Sequence, residues 1–228
     1  SLSAIISLSF FPKEDPTAAF ISTLAAFGAG FVARPFGGVL FGRLGDLIGR
    51  KYTFLLTLLL MGGSTFAIAF IPSYEKIGLV APAILLLLRI IQGLALGGEY
   101  GGAATYVAEY APDAERGKYT SYIQTTATLG FFVSILVILV TQQVMGDAAF
   151  KDWGWRVPFA LSGILVVVSY FIRRNMDESP LFSKLKAEGR LSENPLKEAF
   201  ASKENRRLML IAMFGAIVGQ GVVWHTGQ

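Results

Sequence analysis

The chain has 228 residues, of which 53% are hydrophobic and only 16% charged, with a formal net charge of +4 and no cysteine. A mean hydropathy of +0.54 excludes an ordinary soluble domain, and the lack of cysteine excludes disulfides and thiolate-bound metal.

The first residues, "SLSAIISLSFF" (1–11), are apolar without an initiating Met or a basic leader, and predict the tail of an earlier helix rather than a signal peptide. Five apolar runs follow. Pro16–Gly42 is interrupted only by Arg34, and the interval between Lys51 and Glu75 is uncharged. Ile77–Tyr100 holds Arg89 and Glu99, the interval between Lys118 and Asp147 is again uncharged, and Val157–Ile172 is shorter. A bilayer span needs roughly 20 apolar residues, so the predicted fold is an all-α, polytopic membrane protein with five whole helices. The expected organisation is a bundle over 1–172 whose first helix is truncated, a connector over 173–207, and the truncated start of a further helix over 208–228. The connector alternates charges in sign and carries Pro195, which predicts an amphipathic segment at the membrane surface.

Bases are distributed unevenly between the two ends of these spans. Fourteen, from Arg43, Arg50 and Lys51 through Arg116 and Lys118 to the connector, fall on one side, and four (Lys13, Lys76, Lys151 and Arg156) on the other. The base-rich side, with loop 42–51 and the connector, is therefore expected to be cytoplasmic. The positive charge then reflects topology, and no nucleic-acid partner is expected. Trp153 and Trp155 fall beside a span on the outer side, where interfacial aromatics belong.

Small residues recur every four positions as Gly30, Gly38 and Gly42, with Arg34 in the same register, and as Gly93, Gly97 and Gly101. That spacing keeps them on one helix face, where backbones can approach closely in lipid. Packing is the plain reading, and an interface that moves is the functional one. Charges inside a bilayer cost at least ~2.5 kcal/mol each on insertion scales, so Arg34, Arg89 and Glu99 need a structural or functional reason. Arg89, Gln92 and Glu99 share an arc of roughly 80° on a helix and make a polar stripe that faces either a cavity or a partner helix. Arg34 precedes Pro35, whose ring frees a carbonyl that the guanidinium or a neighbouring helix could satisfy. Gln124, Thr125, Thr126 and Thr128 form a further polar set, suited to hydrogen bonds between helices or to a solute.

"GRLGDLIGRK" resembles the G-x-x-x-D-(R/K)-x-G-(R/K)-(R/K) signature of the major facilitator superfamily: Gly42, Asp46, Gly49, Arg50 and Lys51 match, while Leu47 departs from the usual base. "RIIQGLALGGEYGGAATYVAEYAPDAERG", "DWGWRVPF", "DESPLF", "FFP" and "ARPFGG" are similar to the metabolite:proton symporter branch, whose members carry organic acids, shikimate, proline or betaine. The resemblance covers essentially the whole chain and implies an inner-membrane secondary transporter. Two six-helix halves would rock about a solute bound between them. It also implies that most of the first helix and nearly all of the second half are missing, so this chain is expected not to transport alone.

By the same resemblance Asp46 is a cytoplasmic latch that meets basic residues and a helix N-terminus of the opposite half, with Glu109 paired to Arg116 and Glu178 adding further inner-face charge; solvated loop charge is the alternative. Arg34, Arg89, Gln92 and Gln124 are the candidate solute ligands, since guanidinium groups favour a carboxylate. Glu99 is the candidate for proton coupling, against a structural ion pair as its other reading. The lone His225 is either a cavity residue or interfacial filler. Expected partners are a small solute, a proton, the lipid bilayer and the missing half. No cofactor or metal is expected, and one His with no paired intramembrane carboxylates argues against an enzyme. A facilitator, a sodium-coupled carrier and a half-transporter acting as a dimer are the alternatives.

Overall fold

The computed structural model describes residues 2–12 and 14–226, with side chains at all of these positions except 213 and 216–226. Among the described residues eleven α-helices follow one another: α1 (Leu2–Phe10), α2 (Pro16–Ile48), α3 (Arg50–Ile68), α4 (Tyr74–Ile77), α5 (Val80–Tyr110), α6 (Arg116–Met145), α7 (Asp147–Ala149), α8 (Arg156–Arg174), α9 (Pro180–Ala187), α10 (Pro195–Ala201) and α11 (Lys203–Thr226). A π-helical turn over Phe150–Gly154 leads into α8. Among the described residues five helices are long and apolar enough to cross a membrane: α2, α3, α5, α6 with its short lead-in from Asp113, and α8.

Helix ends are set by local chemistry more than by hydropathy. Asp15 caps α2, its Oδ1 accepting the N–H groups of Thr17 and Ala18 at 3.0 Å each, with Pro16 at the first helical position. At the other end α2 runs past the apolar run to Ile48, so the loop expected over 42–51 is not one. The stretch is the last two turns of α2, a single-residue joint at Gly49 and the first turn of α3. Gly49 has φ +110°, a conformation L side chains rarely adopt. Similarly, α11 starts at Lys203 rather than at Leu208, because the Ser202 hydroxyl accepts the N–H of Glu204 at 3.2 Å and so caps a polar first turn that an apolar pattern does not reveal.

α2 and α5 run parallel in close contact. A Cβ on Gly93 would collide with the Gly30 carbonyl, one on Gly97 with the Arg34 carbonyl, and one on Gly37 with the Leu94 carbonyl. The packing reading of the glycines therefore holds for Gly30, Gly93 and Gly97. A Cβ on Gly38 would be only in ordinary contact range of the Gly97 carbonyl, and one on Gly42 or Gly101 would meet no atom outside its own helix turn within 4 Å among the described residues. The face drifts because 3.6 residues per turn is not four, which moves the contact from Gly38 to Gly37. α3 completes the bundle against α5 and α8, with Gly62 under Val166 and Gly163 under Phe66.

The buried apolar core lies at the end remote from Gly49, where Ile6, Phe10, Ile68, Leu85, Phe150 and Trp155 come together. Trp155 corrects an expectation. It is 0% exposed and lies edge-on to Phe10 and Phe159 at 5.5 and 6.0 Å, whereas Trp153 is exposed. Trp155 directly follows the π-helical turn before α8, and the Arg156 guanidinium stacks on its ring at 4.3 Å. None of the described residues of α6 is buried.

Candidate functional site

Two arginines rise from the α2/α5 contact, and each lies against a phenylalanine of α2. The Arg89 guanidinium stacks on Phe27 at 3.9 Å, an arrangement that holds a cation by the ring quadrupole without spending its donors. Its Nη1 donates to Gln92 Oε1 at 3.0 Å, and Gln92 Nε2 donates in turn to Thr65 Oγ1 on α3 at 2.9 Å. The predicted stripe is thus real for Arg89 and Gln92, and it faces α3 as well as α2. Arg34 stacks on Phe31 at 3.8 Å and makes no hydrogen bond to the carbonyl that Pro35 frees. The Nε atoms of both arginines are buried and meet no hydrogen-bond partner among the described residues.

Glu99, the third member of the stripe, does not join them. It pairs with Arg173 near the end of α8, and Arg173 Nη1 donates to the Phe54 carbonyl of α3 at 2.9 Å while its guanidinium faces the Phe54 ring. The side chains of Glu99 and Arg173 are 17% and 24% exposed, so the pair is largely desolvated and ties α5, α8 and α3 together. The second carboxylate oxygen, Oε2, is buried and meets no hydrogen-bond partner among the described residues.

At the Gly49 end the charges form one network with a different wiring from that expected. Asp46 pairs with Arg50 at 2.7 Å one helical turn away, and Arg50 also faces Glu109 at 3.7 Å. Glu109 in turn accepts from the buried Ser179 hydroxyl, which caps α9 by accepting the Phe182 N–H at 3.2 Å. Glu178 turns inward. Its Oε1 accepts the backbone N–H groups of Arg50 at 2.9 Å and Lys51 at 3.2 Å, where the positive end of the α3 dipole favours a carboxylate. Tyr106 and Tyr110 of α5 donate to the carbonyls of Asp177 and Glu178, each at 2.9 Å. Arg116 is not Glu109's partner: it pairs with Asp113 at 2.7 Å and donates to the Ala108 carbonyl at 3.0 Å, because the short turn after α5 brings Asp113 nearer. Gly42 lines the cleft between α2 and α5 beside Asp46 and Arg50.

Gln124 belongs to neither cluster. It faces an open groove of about 1300 Å³ between α5, α6 and α9, shared with Glu109, Arg116, Thr120 and Lys184. Thr126 and Thr128 donate to carbonyls of α6 itself, at 2.7 and 3.4 Å, because an exposed face leaves their own backbone as the nearest acceptor. The side chain of His225 lies outside the described residues. Sequence reasoning missed Phe27, Thr65, Arg173 and Ser179. Only Ser179 carried a signal, the Ser-Pro pair that marks a cap followed by the first helical residue.

The pattern of the family described as "Sugar (and other) transporter" matches residues 7–209. The inner membrane metabolite transport protein YhjE of Escherichia coli is 47% identical over 176 residues, which are 77% of this chain and 40% of that protein. The α-ketoglutarate permease of Escherichia coli is 42% identical over 90% of this chain and 46% of its own length. The proline/betaine transporter of the same organism is 41% identical over 77% and 35%. This chain therefore spans less than half the length of these curated relatives. Among solved structures, the xylose transporter XylE of Escherichia coli in a partially occluded inward-open conformation superposes with a TM-score of 0.70 at 22% identity, over 83% of this chain and 47% of that one. XylE bound to 6-bromo-6-deoxy-D-glucose gives a TM-score of 0.71 at 22% identity, over 83% and 42%.

Proposed function

Because the chain belongs to the sugar (and other) transporter family of the major facilitator superfamily, a family of transporters rather than enzymes, we propose that it forms the N-terminal half of a secondary active transporter. The solute is a small carboxylate-bearing metabolite, imported by alternating access together with a proton. The observation that carries this reading is the pair of arginines stacked on Phe27 and Phe31 with buried, unpartnered Nε atoms. A guanidinium held in a low-dielectric bundle with a free edge favours a carboxylate by charge-assisted hydrogen bonds. The relatives named for α-ketoglutarate and for proline and betaine are consistent with it, since all three compounds carry a carboxylate.

In this reading the Gly49 end, with the fourteen bases, is cytoplasmic in an inner membrane, and the network of Asp46, Arg50, Glu109 and Glu178 is the latch on that side. Asp46 and Arg50 would exchange partners with the C-terminal half as the two halves rock, since only an interaction that differs between the states shifts their balance. Glu99 is the coupling candidate. A proton on its carboxylate would weaken the Arg173 pair and loosen α8 from α5. Gln124 in the α5/α6/α9 groove is the least supported of the solute candidates, being exposed and apart from the arginines.

The test uses the full-length parent protein in proteoliposomes, following external pH while α-ketoglutarate, proline, betaine and shikimate are added one at a time. Alkalinisation with one of them, abolished by a protonophore, is the expected result. Uptake that ignores an imposed pH gradient would replace symport with a facilitator or a sodium-coupled carrier. Proton-coupled uptake surviving Glu99→Gln would remove Glu99 from the coupling step.

A further inference from the structure

The hydrogen bonds around Gln92 have a direction that follows from proton counting. The Thr65 hydroxyl donates to the Met61 carbonyl at 2.8 Å. A hydroxyl has one proton to give, so toward Gln92 it can only accept, and Gln92 Nε2 is the donor at 2.9 Å. The Gln92 amide is thereby oriented with Oε1 on the far side, where it accepts Arg89 Nη1 at 3.0 Å. A flipped amide would set an NH2 group against the guanidinium and leave the Thr65 oxygen facing a carbonyl oxygen, so both contacts would be lost together. Phe27 closes one face of the same guanidinium from α2. Three helices thus converge on one arginine: α5 supplies it, α2 covers it, and α3 decides which of its edges is occupied.

We propose that Thr65 is a positioning residue of the solute site: by locking the Gln92 amide it ties up Arg89 Nη1 and leaves the guanidinium edge formed by Nε and Nη2 for the solute carboxylate. The Nε atom on that edge is buried and meets no hydrogen-bond partner among the described residues. A planar fork offered edge-on meets a carboxylate with two parallel hydrogen bonds, which a rotating guanidinium would offer only part of the time. This inference rests on the reading of Arg89 as a solute ligand.

The experiment compares Thr65→Val, Thr65→Ser, Gln92→Leu, the Thr65→Val/Gln92→Leu double variant and Arg89→Gln in the full-length parent protein. The readouts are KM and maximal rate in proteoliposomes for whichever of α-ketoglutarate, proline, betaine and shikimate is transported fastest. Thr65→Val is nearly isosteric, and it is expected to raise KM about five- to tenfold, the effect of losing one buried hydrogen bond, with the maximal rate held. Thr65→Ser restores the hydroxyl and the KM. Gln92→Leu raises KM similarly, and the double variant adds nothing to Gln92→Leu because both act through one chain of bonds. Should Thr65→Val fail to fold, Gln92→Leu carries the same test from the other end of the bond. A parental KM in Thr65→Val or Gln92→Leu while Arg89→Gln raises it would overturn the positioning role and leave the Arg89 reading standing. So would a loss of rate in Thr65→Val that Thr65→Ser does not restore. A parental KM in Arg89→Gln, or no uptake of any of the four carboxylates, would overturn both.

Discussion

The Glu178 carboxylate accepts the backbone N–H of Arg50 at 2.9 Å, so the first turn of α3 is capped by a side chain 128 residues further along the chain. The same carboxylate reaches Lys51, and a Cβ on Gly49 would run into it. The joint between α2 and α3, the start of α3 and the end of α8 are consequently one unit.

Glu178→Ala is expected to destabilise the bundle by about 1–2 kcal/mol, the scale of a lost helix cap with a charge-assisted bond. Gly49→Ala should do at least as much by a different route, combining the cost of φ +110° with the displaced carboxylate. Thermal unfolding in detergent measures both. Non-additivity in the double variant, with the second change costing less than it does alone, would mark the shared carboxylate as the cause.

Gly37→Ala and Gly38→Ala are adjacent substitutions with opposite expectations. At Gly37 a methyl group would overlap the Leu94 backbone, which cannot yield without separating α2 from α5. At Gly38 the nearest atom is the Gly97 carbonyl oxygen at 3.6 Å, an ordinary contact. Expression and unfolding temperature should fall sharply for the first and remain near the parental values for the second. Equal behaviour of the two would contradict the register of the α2/α5 contact.

Glu99 and Arg173 should behave as a coupled pair. Arg173→Gln leaves a largely buried carboxylate uncompensated, and Glu99→Gln leaves a buried guanidinium, so each single change is expected to cost about 1–3 kcal/mol. The double change should cost less than the sum, because it leaves neither charge behind. A double-mutant cycle on unfolding free energy reads this directly, and simple additivity would deny the pairing.

Trp155→Ala is expected to cost about 3–5 kcal/mol, the usual range for emptying a large aromatic position in a core, while Trp153→Ala should change stability by under about 0.5 kcal/mol. Collisional quenching separates the two indoles when the other tryptophans are replaced by Phe, which keeps an aromatic ring at each position. In single-Trp variants, an aqueous quencher should reach Trp153 freely and Trp155 scarcely.

Much of this molecule is legible from one dimension of information. The apolar runs between Lys51 and Glu75 and between Lys118 and Asp147 mark spans because the bilayer imposes a length and a polarity on each segment separately. Gly30, Gly93 and Gly97 likewise announce close helix packing by type and spacing. The tertiary structure alone decided the partners. Glu99 meets Arg173 across 74 residues and Glu178 meets the α3 N-terminus across 128, separations at which the chain carries no record of who is adjacent. It also decided which side of the π-helical turn buries Trp155 and that Gly37, not Gly38, faces Leu94. Hydropathy is a property of each segment and its solvent, whereas an ion pair, a cap or a packing register depends on where a second segment lies.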